Sequence, residues 1–165
     1  MGTFFYSFIA MGAFFSVIGA ALPMMRKEYM LNYQISGMLM SALAIGYLIA
    51  GATVNLIAGY LGKKRTYLIF STFLLIGLGM MMITPNQKLL LLAASIAGLS
   101  RGCIDTFGNQ AVSVAAEGND MPINFLQACY SMGTCIAPLI TMACGASWRI
   151  AFSIVMGFAV IAILL

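Results

Sequence analysis

LLLLAASIAGLSRGCIDTFGNQAVSVAA, residues 89–116, decides how this chain is read. The stretch is long and apolar enough to cross a bilayer, which takes about 20 helical residues. Its second half nevertheless carries Arg101, Asp105 and Asn109. A spacing of four sets these side chains on one face of a helix. A charged side chain inside a span costs roughly 2.5–3.5 kcal/mol on insertion scales, so the stripe is either a structural ion pair or a working site. Arg101 and Asp105, one turn apart, are spaced to pair.

The rest of the chain has the same character. Hydrophobic residues make up 62% of the sequence and charged residues 7%, against about 25% charged in an average soluble domain. Such a chain has too little polar surface to cover itself in water, and it reads as an integral membrane protein. Apolar runs recur at 4–25, 35–61, 67–84, 89–116, 122–143 and 148–165. Between them lie short polar breakers: Arg26-Lys27-Glu28 through Gln34, Gly62-Lys63-Lys64-Arg65, Pro85-Asn86-Gln87-Lys88, Glu117-Gly118-Asn119-Asp120 and Gly145-Ala146-Ser147. Loops this short force neighbouring helices to run antiparallel. The pattern predicts one all-α, six-helix transmembrane domain spanning 1–165. Ala42, Gly46 and Ala50 in the second run, and Gly98 with Gly102 in the fourth, have the spacing that lets helix backbones approach closely. The sixth run stops at Leu165 without a polar flank, as expected of a cut chain or of one half of a larger protein.

Composition also removes chemistries. With no histidine there is no His-based triad, zinc site or haem ligation. Cys103, Cys129, Cys135 and Cys144 lack CxxC spacing and read as small apolar packing residues. No metal, cofactor or catalytic residue is expected. The spans offer neither a nucleophile–base pair nor paired carboxylates, so the chain does not read as an enzyme. The net charge of +4 does not point to nucleic acid, because three of eight basic residues form the run Lys63-Lys64-Arg65. With the N-terminus inside, that run is cytoplasmic and Arg26, Lys27, Lys88 and Arg149 lie opposite. Three against four does not decide the orientation by count, and only the density of the run favours a cytoplasmic N-terminus.

The fifth run adds Asn124, Gln127 and Ser131, again on one helical face. At about 1.5 Å per residue from a loop centred on Asn119, Asn124 lies roughly 8 Å deep, Gln127 roughly 12 Å, Asn109 roughly 15 Å and Asp105 roughly 21 Å. Two adjacent antiparallel helices would thus carry a ladder of amides and a carboxylate towards the membrane centre. Such groups both donate and accept, which suits a ligand bearing many hydroxyls. Interhelical hydrogen bonding is the plainer reading of each amide taken singly. Asp105 is the candidate for proton exchange, since intramembrane carboxylates serve proton relays. Glu117 and Asp120 read as solvated loop acids.

These residues resemble the major facilitator superfamily, specifically its amino-terminal six-helix half. Asn55-Leu-Ile-Ala-Gly59-Tyr60-Leu61-Gly62-Lys63-Lys64-Arg65 is similar to the superfamily's gating loop in Gly62 and the basic run. It departs where Gly59 replaces an Asp and Asn55 a Gly. Gly102-Cys103-Ile104-Asp105-Thr106-Phe107-Gly108-Asn109 resembles the Gly-Cys-Leu-Glu-Thr-Ala-Ala-Asn run of the L-fucose:proton symporter group. Asn124-Phe125-Leu126-Gln127, with Ser131 and Gly133, resembles that group's Asn-Leu-Ala-Gln segment. The resemblance implies half of a transporter built from two three-helix inverted repeats. It places Asp105 at the embedded acid of proton coupling and sugar binding, with Asn109, Asn124 and Gln127 lining the cavity. The symporter's first-span acid has no counterpart here, where the polar residues are Tyr6, Ser7 and Ser16.

The expected partners are a small polar solute (a sugar above all), a proton, membrane lipid, and a missing C-terminal half or second copy of the chain. The expected location is a bacterial inner membrane. A drug:proton antiporter half, or a non-transporting membrane assembly subunit, are the rival readings. The first predicts an aromatic, apolar cavity; the second predicts an Arg101–Asp105 pair buried away from any cavity.

Overall fold

The computed structural model of the chain describes residues 2–116, 118–145 and 147–164. Among these, every regular element is a helix: α1 (Gly2–Glu28), α2 (Tyr33–Leu61), α3 (Lys63–Ile83), α4 (Gln87–Ala115), α5 (Met121–Ala143) and α6 (Trp148–Leu164). The first five are long and apolar enough to cross a membrane, while α6 is apolar over the shorter Trp148–Ile163. Glu117, Ala146 and Leu165 lie outside the described residues.

α1 to α5 each begin ahead of the apolar stretch that predicts them, because backbone hydrogen bonding takes in polar flanking residues. Arg26 and Lys27 form the last turn of α1, where cations complement the helix dipole. Asn32 caps α2, its side-chain oxygen accepting from the Ile35 amide at 2.8 Å.

The run Gly62–Arg65 is not a four-residue loop: Lys63, Lys64 and Arg65 are the first turn of α3, and Gly62 alone makes the reversal. Its φ of 84° with ψ of 146° is backbone space essentially reserved for glycine. Its amide closes α2 on the Ala58 carbonyl, and its carbonyl accepts from the Thr66 amide and hydroxyl. A single residue thus satisfies both helix ends.

The chain forms two compact units, Arg26–Phe107 and Met1–Met25 with Gly108–Leu165. In the first, α2 and α4 meet backbone to backbone. A Cβ on Gly46 would stand on the Ser95 carbonyl, one on Gly98 on the Leu43 carbonyl, and one on Gly102 2.6 Å from the Tyr47 carbonyl oxygen. The partners advance in step, so α2 and α4 run parallel. On the other side of α4, Gly77 of α3 approaches the Ala93 carbonyl to within 3.0 Å of where its Cβ would lie. Val54, Ala58, Phe70, Cys103 and Phe107 close an apolar core among α2, α3 and α4. The Tyr29 hydroxyl reaches the carbonyls of Met81 and Met82 at 3.1 and 3.0 Å, tying the α1–α2 turn to the end of α3.

In the second unit the same device joins α1 and α5. A Cβ on Gly12 would stand on the Tyr130 carbonyl, and one on Gly133 on the Ile9 carbonyl. One turn on, the Ser16 hydroxyl donates to the Thr134 carbonyl at 2.8 Å, and nearer the other end Phe5 and Phe125 meet edge-to-face at 5.0 Å. These pairings also advance in step, so α1 and α5 are parallel. In α6, Trp148 and Phe152 pack edge-on at 5.1 Å and are fully buried with Ala151 and Val155.

Candidate functional site

Asp105 is carried by α4 in the Arg26–Phe107 unit, partly buried. Its Oδ2 accepts a hydrogen bond from the Tyr47 hydroxyl of α2 at 2.9 Å. Arg101, one turn earlier, holds its guanidinium 5.0 Å from the centre of the Tyr47 ring, within the range of a cation–π contact. Arg101, Tyr47 and Asp105 therefore form one cluster spanning two helices. That two helices can share it follows from the glycines, since Gly98 and Gly102 bring the α2 backbone against α4 at this level. Thr106 turns its hydroxyl to its own helix, donating to the Gly102 carbonyl at 2.7 Å.

Asn109 and Gln127 meet in the other unit. The Gln127 Nε2 donates to Asn109 Oδ1 at 3.0 Å, as the similar depths read from the sequence expect. Gln127 is exposed and Asn109 partly buried. Asn124 is exposed on α5, one turn before Gln127, with its backbone amide held by the Asp120 carbonyl. Ser131 is exposed as well, but its hydroxyl donates to the Gln127 carbonyl at 3.0 Å, leaving its oxygen lone pairs to face outward.

Lys63, Lys64 and Arg65 are all exposed. They occupy the N-terminal turn of α3, where the helix dipole disfavours cations. Nothing in the helix itself calls for positive charge there.

Sequence reasoning passes over Tyr47. A signal is present: Tyr47 lies within the small-residue series Ala42, Gly46, Ala50. A phenol hydroxyl buried in a span needs a hydrogen-bond partner, usually on the helix it packs against. Ser16 and Thr134 also escape it as a pair, because a bond from side chain to backbone leaves no pattern in the acceptor's sequence.

The described residues make a multi-span helical protein that carries a carboxylate and amide groups on its spans. A family model of the Major Facilitator Superfamily matches residues 3–165. The chain belongs to that superfamily of membrane transporters, and its six helices fit half of the superfamily's fold. No solved structure matches it significantly.

Proposed function

We propose that the chain is the amino-terminal half of a proton-coupled symporter for a sugar or similar polyhydroxylated solute. Asp105 exchanges the coupling proton and contributes with Asn109, Asn124, Gln127 and Ser131 to solute recognition. The observation that carries this reading is the hydrogen-bonded pair Asn109–Gln127. Amides fixed by one bond present their remaining donors and acceptors in a set direction, which is how a hydroxyl-rich ligand is distinguished from an apolar one. The likeness of 102–109 and 124–127 to the L-fucose:proton symporter group supports the same assignment. In such transporters two halves rock about a site near the bilayer midplane, so a second half, or a second copy of this chain, completes the path. Lys63, Lys64 and Arg65 meet anionic lipid headgroups or helix C-termini from the cytoplasmic side in this reading, with the N-terminus cytoplasmic in a bacterial inner membrane.

The test is uptake of radiolabelled L-fucose, D-glucose and D-galactose into proteoliposomes under an inward proton gradient. Asp105→Asn abolishes accumulation while exchange of preloaded solute persists. Accumulation that survives this substitution removes Asp105 from proton coupling. Inhibition by lipophilic cations and not by sugars would favour a drug:proton antiporter. Accumulation by the 165-residue chain alone as a monomer would overturn the need for a second half.

A further inference from the structure

We propose that the α1–α2 turn is a phospholipid site: Arg26, laid on the ring of Tyr33, holds the lipid phosphate by its N–H edge while Met30 enters the acyl chains beside it. The turn stands at the opposite end of α2 from Gly62. The site is independent of which solute or ion the protein carries.

The backbone of this turn is unusual for its sequence. The Leu31 amide donates to the Arg26 carbonyl at 3.0 Å, five residues back. That is the long bond of a Schellman helix end, in which the residue before the donor turns left-handed and is ordinarily glycine or asparagine. Here it is Met30, at φ 50°, the one non-glycine residue with positive φ among those described. Leu31 is buried, as such an end requires, whereas Met30 is 89% exposed. A long apolar side chain therefore sits where the backbone favours none and packs on little of the chain. Its use lies outside the fold.

The guanidinium of Arg26 is placed with equal definition. Its Cζ lies 3.7 Å from the centre of the Tyr33 ring. Stacking occupies the flat face of the group and leaves its five N–H donors in the plane. Among the described residues, no hydrogen bond or ion pair takes these donors. Tyr33 is itself 79% exposed, so the ring supports Arg26 from the surface and belongs to no core. The helix dipole accounts for a cation at this end of α1, but not for a stacked one with its donor edge open. A planar fork of donors is the geometry that takes phosphate oxygens in pairs.

The surroundings supply the rest. The bonds from the Tyr29 hydroxyl to the Met81 and Met82 carbonyls fix the turn beside the end of α3. Ile83, the last residue of α3, is exposed, as is Lys88 just beyond the α3–α4 turn. The stretches 26–33 and 83–88 carry Arg26, Lys27 and Lys88 against the single acid Glu28. Cations interleaved with exposed Met30, Tyr33 and Ile83 suit the boundary between headgroups and acyl chains. A phospholipid offers both complements in one molecule, an anionic phosphate and an apolar chain.

The test is native mass spectrometry of lipid binding to the full chain in detergent. The background is Lys63→Gln, Lys64→Gln, Arg65→Gln, so that the basic turn at the other end of α2 does not contribute. The probes are dioleoylphosphatidylglycerol, dioleoylglycerol, which lacks the phosphate, and inorganic phosphate, which lacks the chains. The chain should retain the first and neither of the others, a comparison that needs no change at the turn itself. Arg26→Gln should weaken retention about tenfold or more, the size of losing a hydrogen bond to a charged group, and Arg26→Lys should recover only part of it. Met30→Gly should bind the lipid several-fold more weakly yet unfold at a higher denaturant concentration in lipid-free micelles, because glycine suits the left-handed position. Equal retention of dioleoylglycerol, equal binding of inorganic phosphate, or unchanged binding by Arg26→Gln overturns the proposal. So does a Met30→Gly variant that loses stability, since the methionine would then be packing within the fold. A dimer that Arg26→Gln or Met30→Gly dissociates would assign the turn to a second copy of the chain and overturn the lipid site.

Discussion

Gly98→Ala tests the α2–α4 seam where it is tightest. The added Cβ would stand on the Leu43 carbonyl oxygen, 3.0 Å from the Leu43 carbonyl carbon and 3.0 Å from the Tyr47 amide nitrogen. All of these are main-chain atoms of a helix, so no side-chain rotation relieves the overlap and α2 itself must retreat. A carbon beside a carbonyl oxygen settles near 3.3–3.6 Å, which requires a displacement on the order of 1 Å. That lengthens the Tyr47–Asp105 contact from 2.9 Å beyond the ordinary range of such bonds. Overpacking costs about 1–3 kcal/mol, and loss of a bond to a charged group adds up to about 1.5–3 kcal/mol. The better helix propensity of alanine returns up to about 1 kcal/mol. The net expectation is a loss of about 2–4 kcal/mol, measured by denaturant unfolding in mixed micelles. Gly79→Ala is the matched control, because a Cβ there meets nothing within 4 Å and only the propensity gain should appear. If the two variants unfold at the same denaturant concentration, the helices are not in backbone contact at Gly98 and the seam is wrong.

Two further substitutions probe the structure away from Asp105. Ser16→Ala removes the donor to the Thr134 carbonyl and should lower stability by about 0.5–1 kcal/mol in the same assay, the size of interhelical hydrogen bonds in membranes; an unchanged midpoint would mean that the bond contributes nothing. Gly62→Ala places a side chain at φ 84°, ψ 146° and should cost about 1–3 kcal/mol in the same unfolding assay; an unchanged midpoint would show that the turn does not require glycine.

Most of the fold is legible in the sequence because membrane spans are written in bulk hydropathy, and short polar breaks separate every run here. The missing detail lies where backbone geometry, not polarity, decides. Lys63, Lys64 and Arg65 look like loop by charge, yet they are helical because Gly62 alone can make the reversal. In the site, Asn109 and Gln127 can be matched by depth since both are polar residues in apolar surroundings. Tyr47 cannot be matched in that way: tyrosine is at home in a span, and its partnership with Asp105 depends on a helix separation set by three glycines. The guanidinium of Arg101 also lies over the Tyr47 ring of another helix, a contact that its spacing from Asp105 does not signal.

The glycine seams also separate what is architectural from what is chemical. Gly98 seats on the Leu43 carbonyl with the Tyr47 amide next to it, and Gly12 seats on the Tyr130 carbonyl with the Thr134 amide next to it. Gly46 and Gly133 return the contact on Ser95 and Ile9. At these glycines the α4–α2 and α1–α5 pairs are the same device, which fits a general need to hold two parallel spans close without polar side chains. The pairs differ at the next helical turn. On α1 the residue four after the glycine is Ser16, whose hydroxyl bonds the Thr134 carbonyl. On α4 it is Gly102, and the Tyr47 carbonyl comes within 2.6 Å of where its Cβ would be. A serine at 102 would meet the Tyr47 carbonyl and the Ala50 Cβ, both 2.6 Å from where its Cβ would lie, so α2 would have to retreat. The two seams thus share their backbone contacts, and the α1–α5 seam adds a side-chain hydrogen bond at the position where the α2–α4 seam keeps a glycine.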